Sequence, residues 1–322
     1  MAVSRNTPSV DPVVRAVSAC ISRHVATGES VVVGFSGGMD SSVLLDAANA
    51  VTREATIQLQ AIHVHHGLSA NADAWAEFCS DRCQSLKIPL DIVRVAVVPL
   101  RGEGVEAAAR RCRHGILDSH PAQWKMLAHH ADDQAETLLH NLLRGTGVRG
   151  AAAMPEMRGC LLRPLLSLTR KTLSEYATAR KLQWIDDESN LDCRYTRNFL
   201  RASVFPSLTD RFPRGVEQLA AAAARFAEAS TLLDNLARLD LCAHSPSFPM
   251  PLALLRELPE IRARNLLRAM LTWQGVQTPN ESRLNEFVRQ IRSAAHDRHP
   301  RLDVPAYSLW CAKGMLSFQI LG

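Results

Sequence analysis

No Cys-x-x-Cys pair occurs in this sequence of 322 residues, although it carries eight cysteines. A zinc ribbon, a cysteine-ligated iron–sulfur cluster and a dithiol redox pair all rely on closely spaced thiols, so none of them is expected. The cysteines are scattered, and Cys79 and Cys83, four residues apart, share a helix face. Buried thiols are the expected state. No apolar run approaches the ~18 residues that span a bilayer, and the first twelve residues are polar and lack a signal-peptide core. Cytoplasmic location and no membrane partner are therefore expected. The common phosphate loop, G-x-x-x-x-G-K-[ST], is absent. Low-complexity tracts and internal repeats are absent too. The net charge of +5 permits a nucleic-acid partner without requiring one.

What is there is concentrated at one point. The β-branched run Val31-Val32-Val33-Gly34-Phe35 stops at Ser36-Gly37-Gly38, and a helical pattern begins at Met39-Asp40-Ser41-Ser42. Strand, glycine turn and helix start form a unit suited to an anion. Glycines allow close backbone approach, and the free N–H groups and positive dipole end of the helix point at the bound charge. Ser36, Ser41 and Ser42 add hydroxyls. Asp40 would repel a phosphate unless a cation lay between them, so it reads as a magnesium ligand by way of phosphate oxygens.

Around this unit, strands (31–35, 59–66, 88–97, 125–130, 161–166 and a short 182–185) alternate with helices (12–27, 40–51, 69–86, 104–119, 132–143, 169–181). That alternation predicts an α/β fold with a parallel nucleotide-binding sheet, whose ligands lie at the carboxyl ends of its strands. After residue 212 the pattern becomes helical (219–241, 259–273, 280–295) and ends in an alternating stretch around Lys313-Gly314 that suits a hairpin. The expected organisation is a catalytic domain over 1–212 and a smaller, mainly helical domain over 213–322.

A second cluster, His129-His130-Ala131-Asp132-Asp133-Gln134-Ala135-Glu136-Thr137, runs from a strand end into a helix. At 100° per residue His129, Asp133, Glu136 and His140 form one stripe, while Leu138, Leu139 and Leu142 form another arc. An ionisable row beside a phosphate loop suggests a shared ATP–magnesium site. His63-Val64-His65-His66-Gly67 places His63 and His65 on one strand face, touching a nucleotide base or simply ending the strand. Gly145-Thr146-Gly147-Val148-Arg149-Gly150 formally matches a dinucleotide fingerprint but follows a helix, and reads better as a helix terminus and a loop over the site. Asp186-Asp187-Glu188-Ser189-Asn190, followed by Arg194, Arg197 and Arg201, reads as a polar site or a salt-bridged helix face.

These motifs, with Val105–Arg113, Arg144–Gly147, Arg163-Pro164-Leu165-Leu166 and Trp184–Asn190, resemble the tRNA(Ile)-lysidine synthases, a family of ATP pyrophosphatases with a Ser-Gly-Gly-x-Asp-Ser loop. His114 stands where many members have Tyr. Longer members carry a further C-terminal domain that this sequence is not expected to contain. The resemblance implies conversion of the wobble cytidine of tRNA(Ile) to lysidine with ATP, magnesium and free lysine, releasing AMP and pyrophosphate. It implies ATP contacts from Ser36, Gly37, Gly38, Met39, Asp40, Ser41, Ser42 and His63. Catalytic roles fall to Asp40, Arg113, His129, Asp133 and Glu136, magnesium to Asp40 and Asp133, and nucleotide or tRNA contacts to Arg197 and Arg201. The second domain is expected to bind the anticodon arm, and a homodimer is compatible with the sequence. A tRNA thiolase of the same superfamily and a non-catalytic nucleotide- or RNA-binding module are the alternatives.

Overall fold

The computed structural model describes residues 11–186, 196–294 and 299–321, with Glu106 and Arg197 described in their backbone alone. The chain divides into two compact units, Met1–Phe226 and Ala227–Gly322. The domain change expected after residue 212 precedes this division, which falls within a long helix, Gly215–Asp240.

The first unit is built on β1 (Ser30–Gly34), β2 (Gln58–His65), β3 (Leu90–Arg94), β4 (Trp124–Met126), β5 (Met157–Arg158) and β6 (Leu161–Leu162). Their order is β3-β2-β1-β4-β6-β5, parallel throughout except for the β5–β6 pair. Interleaved are α1 (Pro12–His24), α2 (Met39–Ala55), α3 (Ala72–Leu86), α4 (Val105–Ser119), α5 (Ala131–Leu143), α6 (Val148–Ala151) and α7 (Arg170–Ala179). Helical turns α8 (Thr196–Phe199) and α9 (Phe205–Arg211) flank a π-helical stretch at Leu200–Val204, and α10 (Gly215–Asp240) follows.

Why the opening strand is uniformly apolar is now clear. Val31 and Val33 pack in a core with Val13, Val17, Leu44 and Leu173, while Val32 packs on the opposite side with Ile62 and Leu117. Both faces are covered, as parallel sheets require. The chain leaves β1 toward β2 and β3, then returns to β4 on the other side of β1. The crevice at the carboxyl ends of β1 and β4 is therefore the switch point where such sheets take their ligands.

Two expectations need correction. Residues 182–185 form no strand; the segment runs alongside the glycine turn, and the Ile185 N–H donates to the Gly37 carbonyl at 2.9 Å. The segment 145–150 is not a loop over the site. Gly147 opens α6, and Asn141 Nδ2 donates to the Gly150 carbonyl at 2.8 Å, which ties the turn to α5.

The second unit packs α11 (Ala253–Glu257), α12 (Glu260–Trp273) and α13 (Glu281–Ser293) with the end of α10. Its four-stranded antiparallel sheet has the order β7-β10-β9-β8, from β7 (Met250–Pro251), β8 (Arg301–Val304), β9 (Tyr307–Ala312) and β10 (Met315–Ile320). Asn280 caps α13 through its side chain, and Leu284, Phe287, Val288 and Ile291 bury one face of it. The β9–β10 hairpin turns at Lys313 and Gly314, both at positive φ, as tight hairpin turns prefer.

Candidate active site

The glycine turn is shaped from within. Gly37 sits at φ +86°, and a Cβ there would lie 2.8 Å from Ile185 Cδ1 and 3.1 Å from Cys79 Sγ. The positive φ favours glycine, and a Cβ would require the Ile185 side chain to shift. Gly38 is the N-cap of α2 and supplies no side-chain cap, so the first N–H groups of a 17-residue helix are left for another acceptor. Ser41 Oγ donates to the Gly38 carbonyl at 2.9 Å, and Ser42 Oγ reaches the Gly37 carbonyl at 3.4 Å. Both serines are buried. A hydroxyl has one proton, and here Ser41 and Ser42 direct theirs to the loop's own backbone. Ser36 is exposed and lies 3.1 Å from Ser41 Oγ. Met39 packs against the core.

Facing this turn is the start of α5. The helix begins at Ala131, and His130 is its N-cap in extended backbone (φ −126°, ψ −177°). The His130 N–H donates to Asp133 Oδ2 at 3.0 Å. Its buried imidazole has Nε2 3.5 Å from both Asp40 Oδ2 and Asp133 Oδ2, and Nδ1 3.4 Å from Asp132 Oδ2. Burial opposes its charge. The neighbouring carboxylates of Asp132, Asp40 and Asp133 outweigh burial and push it up to about 10. The ring thus sits among three carboxylates that favour its charged form. Desolvation works to raise Asp132, but the His130 ring beside it and the hydrogen bond from the Arg170 N–H (2.7 Å) hold it below the usual range. Arg170 Nε lies 3.9 Å from Asp40 Oδ1, an oxygen that accepts no hydrogen bond among the described residues.

One turn along α5, Glu136 is buried, and Arg201 clamps it. Arg201 Nε donates to Oε1 at 2.7 Å and Nη2 to Oε2 at 3.0 Å, and the same Nη2 reaches Asp133 Oδ1 at 3.1 Å. Burial nevertheless raises the Glu136 carboxyl, with Arg201 pulling it back. Arg201, expected to contact a nucleotide or RNA, lies on the acid pair. An uncompensated buried carboxylate is costly and needs such a partner.

The helical stripe proposed for His129 does not survive, because His129 precedes the helix. Adjacent residues in extended backbone point to opposite sides, so His130 and not His129 meets Asp40. His129 is half-buried, and desolvation together with the cations of Arg163 and Arg110 pushes its imidazole down, against Asp133. Arg113 belongs to this basic border too, its charge being felt at His63, His66 and His114. His63 is buried at the end of β2; its Nδ1 lies 2.9 Å from the Phe35 carbonyl and 3.4 Å from Cys79 Sγ. That bond braces the strand end feeding the glycine turn.

The structure therefore brings together the turn at 36–42, Asp40, Asp133, Glu136 and Arg201. It adds His130, Asp132 and Arg170, which sequence reasoning missed. His63, Arg113 and His129 lie along the basic border. Asp187 to Arg194 lies outside the described residues, as does the side chain of Arg197. In chemical terms the crevice offers a helix N-terminus to a polyphosphate and a row of acids to a cation.

Comparison with known proteins agrees with this layout. The PP-loop domain family matches residues 12–208, and the TilS substrate binding domain matches residues 250–317. A tRNA(Ile)-lysidine synthase of Aromatoleum aromaticum is 43% identical over 90% of this chain and 68% of its own length. One of Chromobacterium violaceum is 46% identical over 84% of this chain and 63% of its own. One of Nitrosomonas europaea is 39% identical over 92% and 66%. The chain thus spans about two thirds of the length of these relatives, or less. Among solved structures, a U34-tRNA thiolase, NcsA from Methanococcus maripaludis, shares the fold at a TM-score of 0.56 and 18% identity, covering 67% of this chain and 78% of that one. With an α/β PP-loop unit, a substrate-binding unit and these relatives, the chain belongs to the tRNA(Ile)-lysidine synthase family of PP-loop proteins.

Proposed function

We propose that this chain is an AMP-forming ligase that joins lysine to C2 of the wobble cytidine of tRNA(Ile), working in the cytoplasm. One observation carries the reading. Asp40 of the glycine turn and Asp133 of the acid row both lie 3.5 Å from the same nitrogen of His130, so loop and acids share one crevice.

The C2 oxygen of cytosine is a poor leaving group until it is adenylated. In the proposed sequence that oxygen attacks the α-phosphorus of ATP, and pyrophosphate departs toward the N-terminus of α2, where free N–H groups stabilise its charge. The ε-amine of lysine then attacks C2, AMP leaves with the oxygen, and one proton is lost from the nitrogen. The amine must react as its neutral form although its ordinary pKa is about 10.4. Glu136 is the better proton acceptor in the row, because burial raises its affinity for a proton. Asp133 would hold the incoming ammonium. His129, kept neutral, and Arg113 would position phosphate and lysine from the basic border. Magnesium fits the donor set, since Asp40 offers a buried carboxylate oxygen that accepts no hydrogen bond among the described residues and Asp133 lies against the same imidazole nitrogen. When bound, the ion would neutralise phosphate charge.

The thiolase alternative finds little support. Among the described residues the group with metal-ligand spacing is Cys20, His24 and Glu156. Cys20 and His24 lie on the last two turns of α1 and Glu156 just ahead of β5, and none of the three belongs to the acid row or the glycine turn. Lysine-dependent release of AMP from ATP in the presence of unmodified tRNA(Ile) is the expected result. Sulfide-dependent release would establish thiolation, and no ATP consumption would reduce the chain to a binding module.

A further inference from the structure

Arg201 is one end of a continuous helical path that runs through the π-helical stretch and α9 to Phe212. At 1.5 Å per residue the other end lies roughly 16 Å from the acid row. There the chain makes a short corner, Phe212-Pro213-Arg214, before α10. Beside the corner is an open hollow of about 600 Å³ lined by Leu208, Arg211, Phe212, Arg214, Gln218 and Leu219, among others. Leu208 and Leu219 form its floor, anchored in the small core of Ala131, Ala135, Leu200 and Phe205.

Phe212 is 59% exposed. Its exposure is built in and is not a consequence of slack. The Phe212 N–H donates to the Leu208 carbonyl at 2.7 Å, and the Gly215 N–H returns to the Phe212 carbonyl at 2.7 Å. A Cβ on Gly215 would press on Leu208 Cδ2 at 3.3 Å, so the corner is tightly packed. The guanidinium of Arg211 stands 5.9 Å from the centre of the Phe212 ring. Arg214 lines the same hollow, and the positive end of the 26-residue α10 begins at Gly215. Asp210 and Glu217 lie on the adjoining turns but do not line it.

A greasy floor, an exposed aromatic face on a braced backbone and two cations at the rim suit a flat heteroaromatic ring that carries a phosphate. A hydrophobic peptide would strip water from two arginines and return nothing to them. Aromatic side chains with guanidinium neighbours are the usual platform for unpaired bases. We infer that this hollow is a stacking site for an unpaired RNA base next to the one being modified, with Arg211 and Arg214 on its flanking phosphates. The inference rests on the proposed tRNA substrate and adds the place that holds the loop while its target base is out of the stack.

The test uses the full chain and a labelled RNA hairpin with the anticodon-arm sequence of tRNA(Ile). Phe212→Ala should weaken RNA binding and raise KM for tRNA by about tenfold, with kcat and KM for ATP unchanged. Phe212→Trp should restore binding. The pair Arg211→Ala and Arg214→Ala should flatten the salt dependence of affinity. Sedimentation of each variant is run alongside. If Phe212→Ala binds RNA as tightly as the wild type, this inference alone is overturned. A change in oligomeric state at unchanged RNA affinity overturns it as well, and assigns the hollow to contacts between copies. A wild-type chain that binds no RNA overturns both this site and the function on which it rests.

Discussion

His129 and His130 are neighbours in sequence, both lie between β4 and α5, and their imidazoles are driven in opposite directions. His130 is pushed up to about 10, while His129 is pushed down and His66, across the sheet, falls to about 4. All three lose water on folding, which by itself disfavours the charged ring. The difference lies in the company. His130 has three carboxylates within 3.5 Å. His129 and His66 have arginines, and His66 Nδ1 and Nε2 have no hydrogen-bond partner among the described residues. One crevice thus holds an acidic half built around a cation and a basic half built around neutral rings. The proposed adenylating ligation would need both: acids for an ammonium and a metal, cations and neutral donors for phosphate.

The largest effect should come from removing an acid that sustains the first half. Asp40→Asn is expected to cut AMP formation by 100-fold or more, an order typical of losing a preorganised charge at a reacting phosphate, with RNA affinity largely kept. NMR titration should show the His130 imidazole moving back toward its ordinary range. Normal turnover would remove Asp40 from the chemistry. Arg201→Ala comes next. It leaves Glu136 buried without its clamp, and a loss of about 2 kcal/mol in urea unfolding is expected, less than for a fully buried pair because Arg201 is partly solvated. The activity profile should shift to higher pH as Glu136 takes up its proton more readily.

The smallest effects separate the two kinds of histidine by pH. A folded pKa above the unfolded one stabilises at low pH, so the contribution of His130 is full below about 6.5 and is lost as pH rises toward 10. A folded pKa below the unfolded one has the opposite sign. His66 therefore costs stability as pH falls from 6.5 toward 4. Urea midpoints across pH 4–10 should show His130→Gln flattening the alkaline limb and His66→Gln the acid limb. If both variants flatten the same limb, the contrast between the halves is wrong.

Much of the first unit was legible because local rules and tertiary packing agree there. The apolar run of β1, the glycine turn and the start of α2 are set by period and turn chemistry within a few residues. The acid row was legible in Asp133 and Glu136, which share a helical face. His130 was not, because a histidine is an unusual N-cap and a stripe drawn at 100° continues straight through a helix start. The length of β4 failed for a related reason: the strand ends at Met126, and the chain from Leu127 to the N-cap at His130 takes no regular structure. The inward turn of Ser41 and Ser42 depends on which carbonyls the folded loop presents. The Arg201–Glu136 clamp joins residues 65 apart, a contact that no period encodes.

Asp133 has two employments that a routine scan would confuse. Its Oδ2 caps the first turn of α5 by accepting the His130 N–H, while its other oxygen faces Arg201. Replacement by alanine would fray the helix as well as remove a charge, at a cost of about 1 kcal/mol for the cap alone. Asparagine keeps an acceptor for that N–H. The ratio between the two variants, and not the alanine phenotype, measures what the charge contributes.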